Sequence, residues 1–199
     1  MTQIVRINPM RVPGGWRQGY VLDYHTLWSQ FIGHDEFGHA MFDTKRSEMG
    51  ELLYRLKYRS DKSVMDTIVE TAVSFIASWS PGLSVTVPVP PSRQRAFQPV
   101  WEMAERLSAR LNLPLRSDCI VKIKDTPELK NVYNYEKRME LLEGAYTIPA
   151  ASPKGESVLL FDDLYRSGAT LNAITSASYS KGEAANVYVL ALTRTRSSS

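Results

Sequence analysis

Apolar positions in residues 50–58 fall at Leu52, Leu53 and Leu56, the spacing of one face of a helix. A second helical run follows, carrying Met65, Ile68, Val69, Ala72 and Phe75 inward, with Asp61 or Ser63 placed to cap it and Pro81-Gly82 to end it. Beyond that break the period changes. Residues 83–89 form a β-rich run, and Pro99 stands where a first helical turn tolerates it, ahead of a helix over 100–111. Residues 120–123 and 145–148 read as further strands, with a polar, charged stretch between them. Residues 158–161 are continuously apolar, as in a strand buried on both faces. Residues 169–180 then read as a helix with Gly182 at its end, and 187–192 as a last strand before a frayed tail. Short strands alternating with helices predict an α/β fold with a central, mostly parallel sheet flanked by helices. Residues 1–50 mix aromatics, glycines and all three histidines without a sustained period. The chain is therefore divided into an N-terminal segment, 1–50, and a core domain, 51–199.

Composition narrows the class. With 43% hydrophobic residues in 199, the chain can bury a real core. Its longest apolar stretches are far too short to cross a bilayer, and the N-terminus lacks the charged-then-apolar layout of a signal peptide, so a cytoplasmic protein with no membrane partner is expected. The single cysteine, Cys119, excludes an intramolecular disulfide and a thiolate-rich zinc shell, and is expected to pack in a strand. His25, His34 and His39, with Asp35 and Glu36 nearby, match no zinc-binding helix motif, because a spacing of five puts the last two rings on different faces. They read as structural or surface histidines. The net charge of +3 is too mild to imply nucleic acid as a direct ligand, but it is uneven: from Arg93 to Arg138 ten Lys or Arg stand against six Asp or Glu.

The chemistry concentrates in Val158-Leu159-Leu160-Phe161-Asp162-Asp163-Leu164-Tyr165-Arg166-Ser167-Gly168-Ala169-Thr170. A buried strand stops at two acids and enters a small-residue turn before a helix. Ligands of open α/β sheets bind beyond the carboxyl ends of the strands, where these carboxylates emerge. Gly168 lets the backbone approach an anion, and the amides of Arg166, Ser167, Gly168, Ala169 and Thr170 lie at the positive end of the following helix. Paired carboxylates beside a phosphate need a partner that donates hydrogen bonds or carries positive charge; ribose hydroxyls and a divalent cation supply both. The glycine-lysine-serine/threonine ending of a Walker loop is absent, and a dinucleotide fingerprint needs glycines where Asp162 and Asp163 stand.

These thirteen residues resemble the signature of type I phosphoribosyltransferases, which bind 5-phosphoribosyl 1-diphosphate (PRPP). The run Val87-Pro88-Val89-Pro90, followed by Arg93, Arg95, Phe97 and Gln98, is similar to a segment of the ComF-like competence proteins, and Leu56-Lys57-Tyr58, Lys124, Thr126 and Arg138 continue the likeness across residues 50–196. The resemblance implies the type I phosphoribosyltransferase fold with a small N-terminal hood. It implies magnesium-dependent transfer of a phosphoribosyl group from PRPP to a small-molecule acceptor with release of pyrophosphate, and is compatible with a homodimer. Carried over residue by residue, Asp162 and Asp163 hold the ribose hydroxyls and share Mg2+ with PRPP, while residues 166–170 hold the 5-phosphate. Pro90, Pro91, Ser92, Arg93 and Arg95 contact pyrophosphate, and Lys124, Lys130 and Arg138 belong to a flexible loop that closes over the site. Two features depart from the pattern. No counterpart of the four-cysteine zinc ribbon with which ComF-like proteins commonly begin is found, and Arg166 stands where relatives acting on purines often carry an acid, leaving no general base in the loop. A non-catalytic PRPP or nucleotide sensor linked to nucleic-acid uptake is the alternative. Trp16, Tyr20, Tyr24 and Trp28 either pack in the core or shape an acceptor pocket.

Overall fold

A computed structural model of the chain describes residues 3–91, 97–124, 132, 134–149 and 153–196. The central sheet is built from β1 (Met10–Arg11), β2 (Gln18–Tyr24), β5 (Val85–Pro88), β8 (Ser157–Tyr165) and β9 (Asn186–Arg194), in the order β1-β2-β9-β8-β5. All pairings are parallel except that of β1 with β2. The expected mostly parallel sheet flanked by helices is thus present.

Alternation along β8 and β9 explains why their sequences are apolar throughout. Leu159 and Phe161, with Tyr188, Leu190 and Leu192, join the core formed by α1 (Glu48–Tyr58), α2 (Met65–Trp79) and α3 (Pro99–Leu111). Val158 and Leu160, with Val187, Val189 and Ala191, join the opposite core with Leu171 and Ile174 of α5 (Ala169–Ser180). Both faces are covered, so neither strand needs a polar face.

Local signals set the helix ends. Ser47 caps α1 by accepting from the Gly50 amide at 3.0 Å, and its own hydroxyl donates to the Tyr24 carbonyl. Gly50 sits so close to the His25 carbonyl that any Cβ there would collide with it, which locks α1 against the end of β2. Asp61 accepts from the Ser63 amide and caps a single 3-10 turn, Lys62–Val64, that leads into α2. Pro99 occupies the first turn of α3, as its fixed φ favours.

The N-terminal half departs from its sequence pattern. β2 lies inside the central sheet, so the sheet begins within the segment set apart as 1–50. The part that stands away from it is a hairpin of β3 (Thr26–His34) and β4 (Ala40–Arg46). Register shifts between Thr26 and Trp28 and between Phe31 and Gly33 break its alternation, which is why no strand period is legible there. Residues 120–123 and 145–148 shrink to β6 (Val121–Lys122) and β7 (Tyr146–Thr147), an antiparallel pair outside the central sheet. The polar stretch before β7 ends in a helix, α4 (Tyr135–Leu142), capped by Asn134. No helix among the described residues is long and apolar enough to cross a membrane.

Candidate functional site

β8 does not stop at the two acids, as the sequence pattern suggests, but carries them on to Tyr165. Neighbouring residues of a strand face opposite sides, so the two carboxylates enter different surroundings. Asp163 points with Phe161 toward α1, where Lys57 Nζ donates to its Oδ2 at 2.6 Å. The Asp163 carbonyl accepts from the Thr193 hydroxyl at 3.1 Å, and that hydroxyl lies 3.3 Å from His25 Nδ1. Asp162 points toward the α5 side, close enough to Tyr146 for its charge to act on the phenol. Its Oδ1 accepts from the Asp163 amide at 2.8 Å.

Electrostatics follows from this split. Burial, and then the negative charge of Asp163, push the Asp162 carboxyl up to about 8; the Asp163 amide and Lys57 pull the other way without compensating. The Asp162 carboxyl therefore favours its protonated form at neutral pH. Burial alone would lower the Lys57 ammonium, but the charge and hydrogen bond of Asp163, with Asp162 behind it, carry it above its ordinary value. His25 is held below its ordinary value by burial and by Lys57 and Arg46. Burial and Asp162 push the Tyr146 phenol up to about 12, against a hydrogen bond from Thr170, so it keeps its proton.

The turn after β8 has the geometry of an anion cradle. Gly168 caps α5 with φ 76 and ψ 0, a left-handed conformation that costs an L side chain energy. A Cβ there would also press on the Tyr165 ring, 2.8 Å from its hydroxyl. The Ser167 hydroxyl lies 3.5 Å from the Ala169 amide, and Arg166 is exposed. The first amides of α5 have no partner within the helix and open at its positive end, beside the carboxylates.

The remaining expected residues divide. The Val89 amide donates to the Phe161 carbonyl at 2.9 Å, which brings Pro90 and Pro91 alongside β8 at the threshold of Asp162. Ser92, Arg93, Arg95 and Lys130 lie outside the described residues. Lys124 Nζ reaches the Glu143 carbonyl at 3.5 Å, and Arg138, on α4, donates to the Val132 carbonyl, so both are tied within their own segment. Tyr135, at the start of α4, accepts from Asn172 of α5 at 3.2 Å and so docks that helix against the first turns of α5.

Among the described residues no group of three or more His, Cys, Asp or Glu could cage a metal. Asp162 and Asp163 offer hard oxygen ligands on opposite sides of β8, the latter already engaged by Lys57. That donor set suits magnesium, which keeps several waters and binds through one or two carboxylates plus substrate phosphates.

No family model matches the chain. It is 28% identical over 154 residues to the competence protein ComFC of Bacillus subtilis, covering 76% of this chain. The chain is similar to a ComF-like protein over that length, and its mostly parallel sheet flanked by helices is an α/β architecture. This chain spans 62% of the length of that relative. Similar solved structures include adenine phosphoribosyltransferase of Saccharomyces cerevisiae, at 12% identity and a TM-score of 0.47 over 82% of this chain and 83% of that one. They also include adenine phosphoribosyltransferase of Trypanosoma brucei, at 13% identity and a TM-score of 0.46 over 95% and 87%.

Sequence reasoning gave Lys57 no role and read Tyr146 only as part of a strand. Lys57 meets Asp163 across 106 positions of chain, so no local spacing marks the pair. The available signals were its place in Leu56-Lys57-Tyr58, within the family likeness, and beside the buried Leu53 and Leu56 of an amphipathic helix.

Proposed function

We propose that the chain binds PRPP with magnesium and transfers its phosphoribosyl group to a small-molecule acceptor, releasing pyrophosphate. The observation that carries this reading is the pair of carboxylates at the end of β8, followed directly by the left-handed Gly168 that opens α5. Asp163, steadied by Lys57, accepts hydrogen bonds from the ribose hydroxyls. Asp162 loses its proton as ribose and magnesium arrive. The turn amides, with the hydroxyls of Ser167 and Thr170, hold the 5-phosphate, and Arg166 adds charge at its rim. Magnesium, when bound, neutralises the pyrophosphate leaving group. In this reading Pro90, Pro91, Ser92, Arg93 and Arg95 are assigned to pyrophosphate, and Lys124, Lys130 and Arg138 to the flexible loop, on the strength of the sequence resemblance. The protein's contribution is positioning and charge stabilisation rather than covalent chemistry. The hairpin β3–β4 supplies the hood within segment 1–50.

Calorimetric titration with magnesium-PRPP tests the donor site. Saturable binding that is lost in the Asp162→Asn/Asp163→Asn double variant supports it, and no binding to folded wild-type protein overturns it. The sensor reading has one feature in its favour, Arg166 in place of an acid; pyrophosphate release with any acceptor eliminates it.

A further inference from the structure

The hairpin β3–β4 forms a sheet of its own, so each of its strands presents one edge that meets no other strand among the described residues. Such an edge carries a row of amides and carbonyls open to another chain, and a two-stranded hairpin by itself is marginally stable in water. The two edges differ in chemistry. β4 carries Asp43, Lys45 and Arg46, charges of the kind that keep an edge from pairing. The 9 residues of β3 include no Asp, Glu, Lys, Arg or Pro.

The middle of β3 is open as well as uncharged. Trp28, Phe31 and Ile32 are 43–57% exposed, and Ser29 and Gln30 between them are exposed too. The register shifts of the hairpin lie at either end of this stretch: Trp28, Ser29, Gln30 and Phe31 pair one to one with Lys45, Thr44, Asp43 and Phe42. A regular strand edge is therefore available where the apolar side chains are concentrated.

Charge selects the occupant. From Trp28 to Lys45 the hairpin carries Asp35, Glu36 and Asp43 against Lys45 alone, a balance that repels a phosphate backbone. A second copy of β3 meets no such repulsion. Antiparallel pairing about a two-fold axis at Gln30 sets residues without formal charge opposite one another along the strand, and brings Trp28 to the same side as Ile32 of the second copy. The same operation at the middle of β4 would set Asp43 opposite itself.

We propose that the free edge of β3 is a self-association surface, through which two copies of the chain join their hairpins into one four-stranded antiparallel sheet. The strand order becomes β4-β3-β3-β4, with the charged β4 edges outermost. Three half-exposed large side chains offer roughly 300 Å² of apolar surface per copy, less than the roughly 800 Å² per partner of a standard interface, so the pair is reversible with a dissociation constant of about 1–100 μM. The pairing uses no residue of 162–170, and its success or failure leaves the reading of that segment untouched.

Sedimentation velocity of the full chain over about 1–200 μM tests this. Wild-type protein should pass from monomer to dimer across that range. Gln30→Lys sets like charges together at the axis but faces Asp43 within its own hairpin, so the hairpin keeps its pairing while the dimer weakens by about ten-fold or more. An equimolar mixture of Gln30→Lys and Gln30→Glu should recover the dimer, a result that a misfolded variant cannot give. Phe37→Ser, in the turn outside the paired stretch, should dimerise as the wild type does. A wild-type protein that stays monomeric throughout overturns the proposal, as does a dimer that Gln30→Lys leaves intact or Phe37→Ser dissolves. So does a monomer that takes up a single-stranded oligonucleotide and loses it in Trp28→Ala, which would give the exposed aromatics to nucleic acid.

Discussion

Replacing Asp162 by Asn keeps the size of the side chain and the acceptor for the Asp163 amide, but removes a proton-binding group that the fold holds at about 8 instead of 3.8. Between these values the native protein binds a proton that the unfolded chain has released. Wild-type stability from this group is therefore fully present below about pH 4 and is lost as the pH rises toward 8, by at most about 1.4 kcal/mol per unit. Over pH 6 to 8 the full slope amounts to about 2.7 kcal/mol; the partial exposure of Asp162 reduces this to about 1–2 kcal/mol. His25 works in the opposite sense, because its lowered value favours the fold as the pH rises through 6.5, but it is common to both proteins and cancels in the difference. Urea unfolding of wild type and Asp162→Asn in half-unit steps from pH 5.5 to 8.5 measures that difference directly. The variant should gain on the wild type by about 1–2 kcal/mol across pH 6–8. A difference that is flat with pH would refute a raised Asp162 carboxyl.

Lys57→Met should cost about 2 kcal/mol in the same assay at pH 7, less than a fully buried pair because Lys57 is 26% exposed; since the raised lysine loses its charge only above its ordinary 10.5, its own contribution should not fade between pH 6 and 9. Gly168→Ala combines a left-handed φ with pressure on Tyr165 and should lower stability by about 2 kcal/mol in thermal unfolding, with weaker ribose 5-phosphate binding. Ser80 ends α2 at φ 52, so Ser80→Gly should raise stability by about 0.5–1 kcal/mol without touching the site. Titration with magnesium-PRPP at pH 7, in two buffers of different ionisation enthalpy, should report release of up to about one proton per site as Asp162 becomes a carboxylate.

Much of the candidate site was legible because its signals are local. The strand, acids, glycine turn and helix of 158–180 follow one another in the chain, and the structure changes only the point at which β8 ends. Helices α1, α2 and α3 were readable from the 3.6-residue spacing of Leu53, Leu56, Ile68, Val69, Met103 and Leu107, all of which are buried. β2 was not readable, since Tyr20, Val21 and Leu22 serve both cores and show no alternation, and its partner β9 lies far along the chain. The hairpin was obscured by its bulges and by aromatics that remain outside, such as Phe37 at 77% exposure. Lys57 and Thr193 reach the site only through sheet order and long-range packing, and neither is encoded in a window of sequence.

β9 follows every other described strand in the chain yet lies between β2 and β8. As the chain is synthesised, β8 can pair with β5 alone, and β2 has only the two residues of β1 beside it. Both hydrophobic layers wait on the same segment, whose alternate residues complete one and then the other. Closing so long a loop is slow, and neither half of the core can mature ahead of it. Thr193 of that strand also supplies the hydroxyl that fixes the Asp163 carbonyl, so folding and assembly of the ligand site end in one event. A chain cut before residue 186 should accordingly yield no partly competent fragment, and quality control need monitor only whether the last strand has docked.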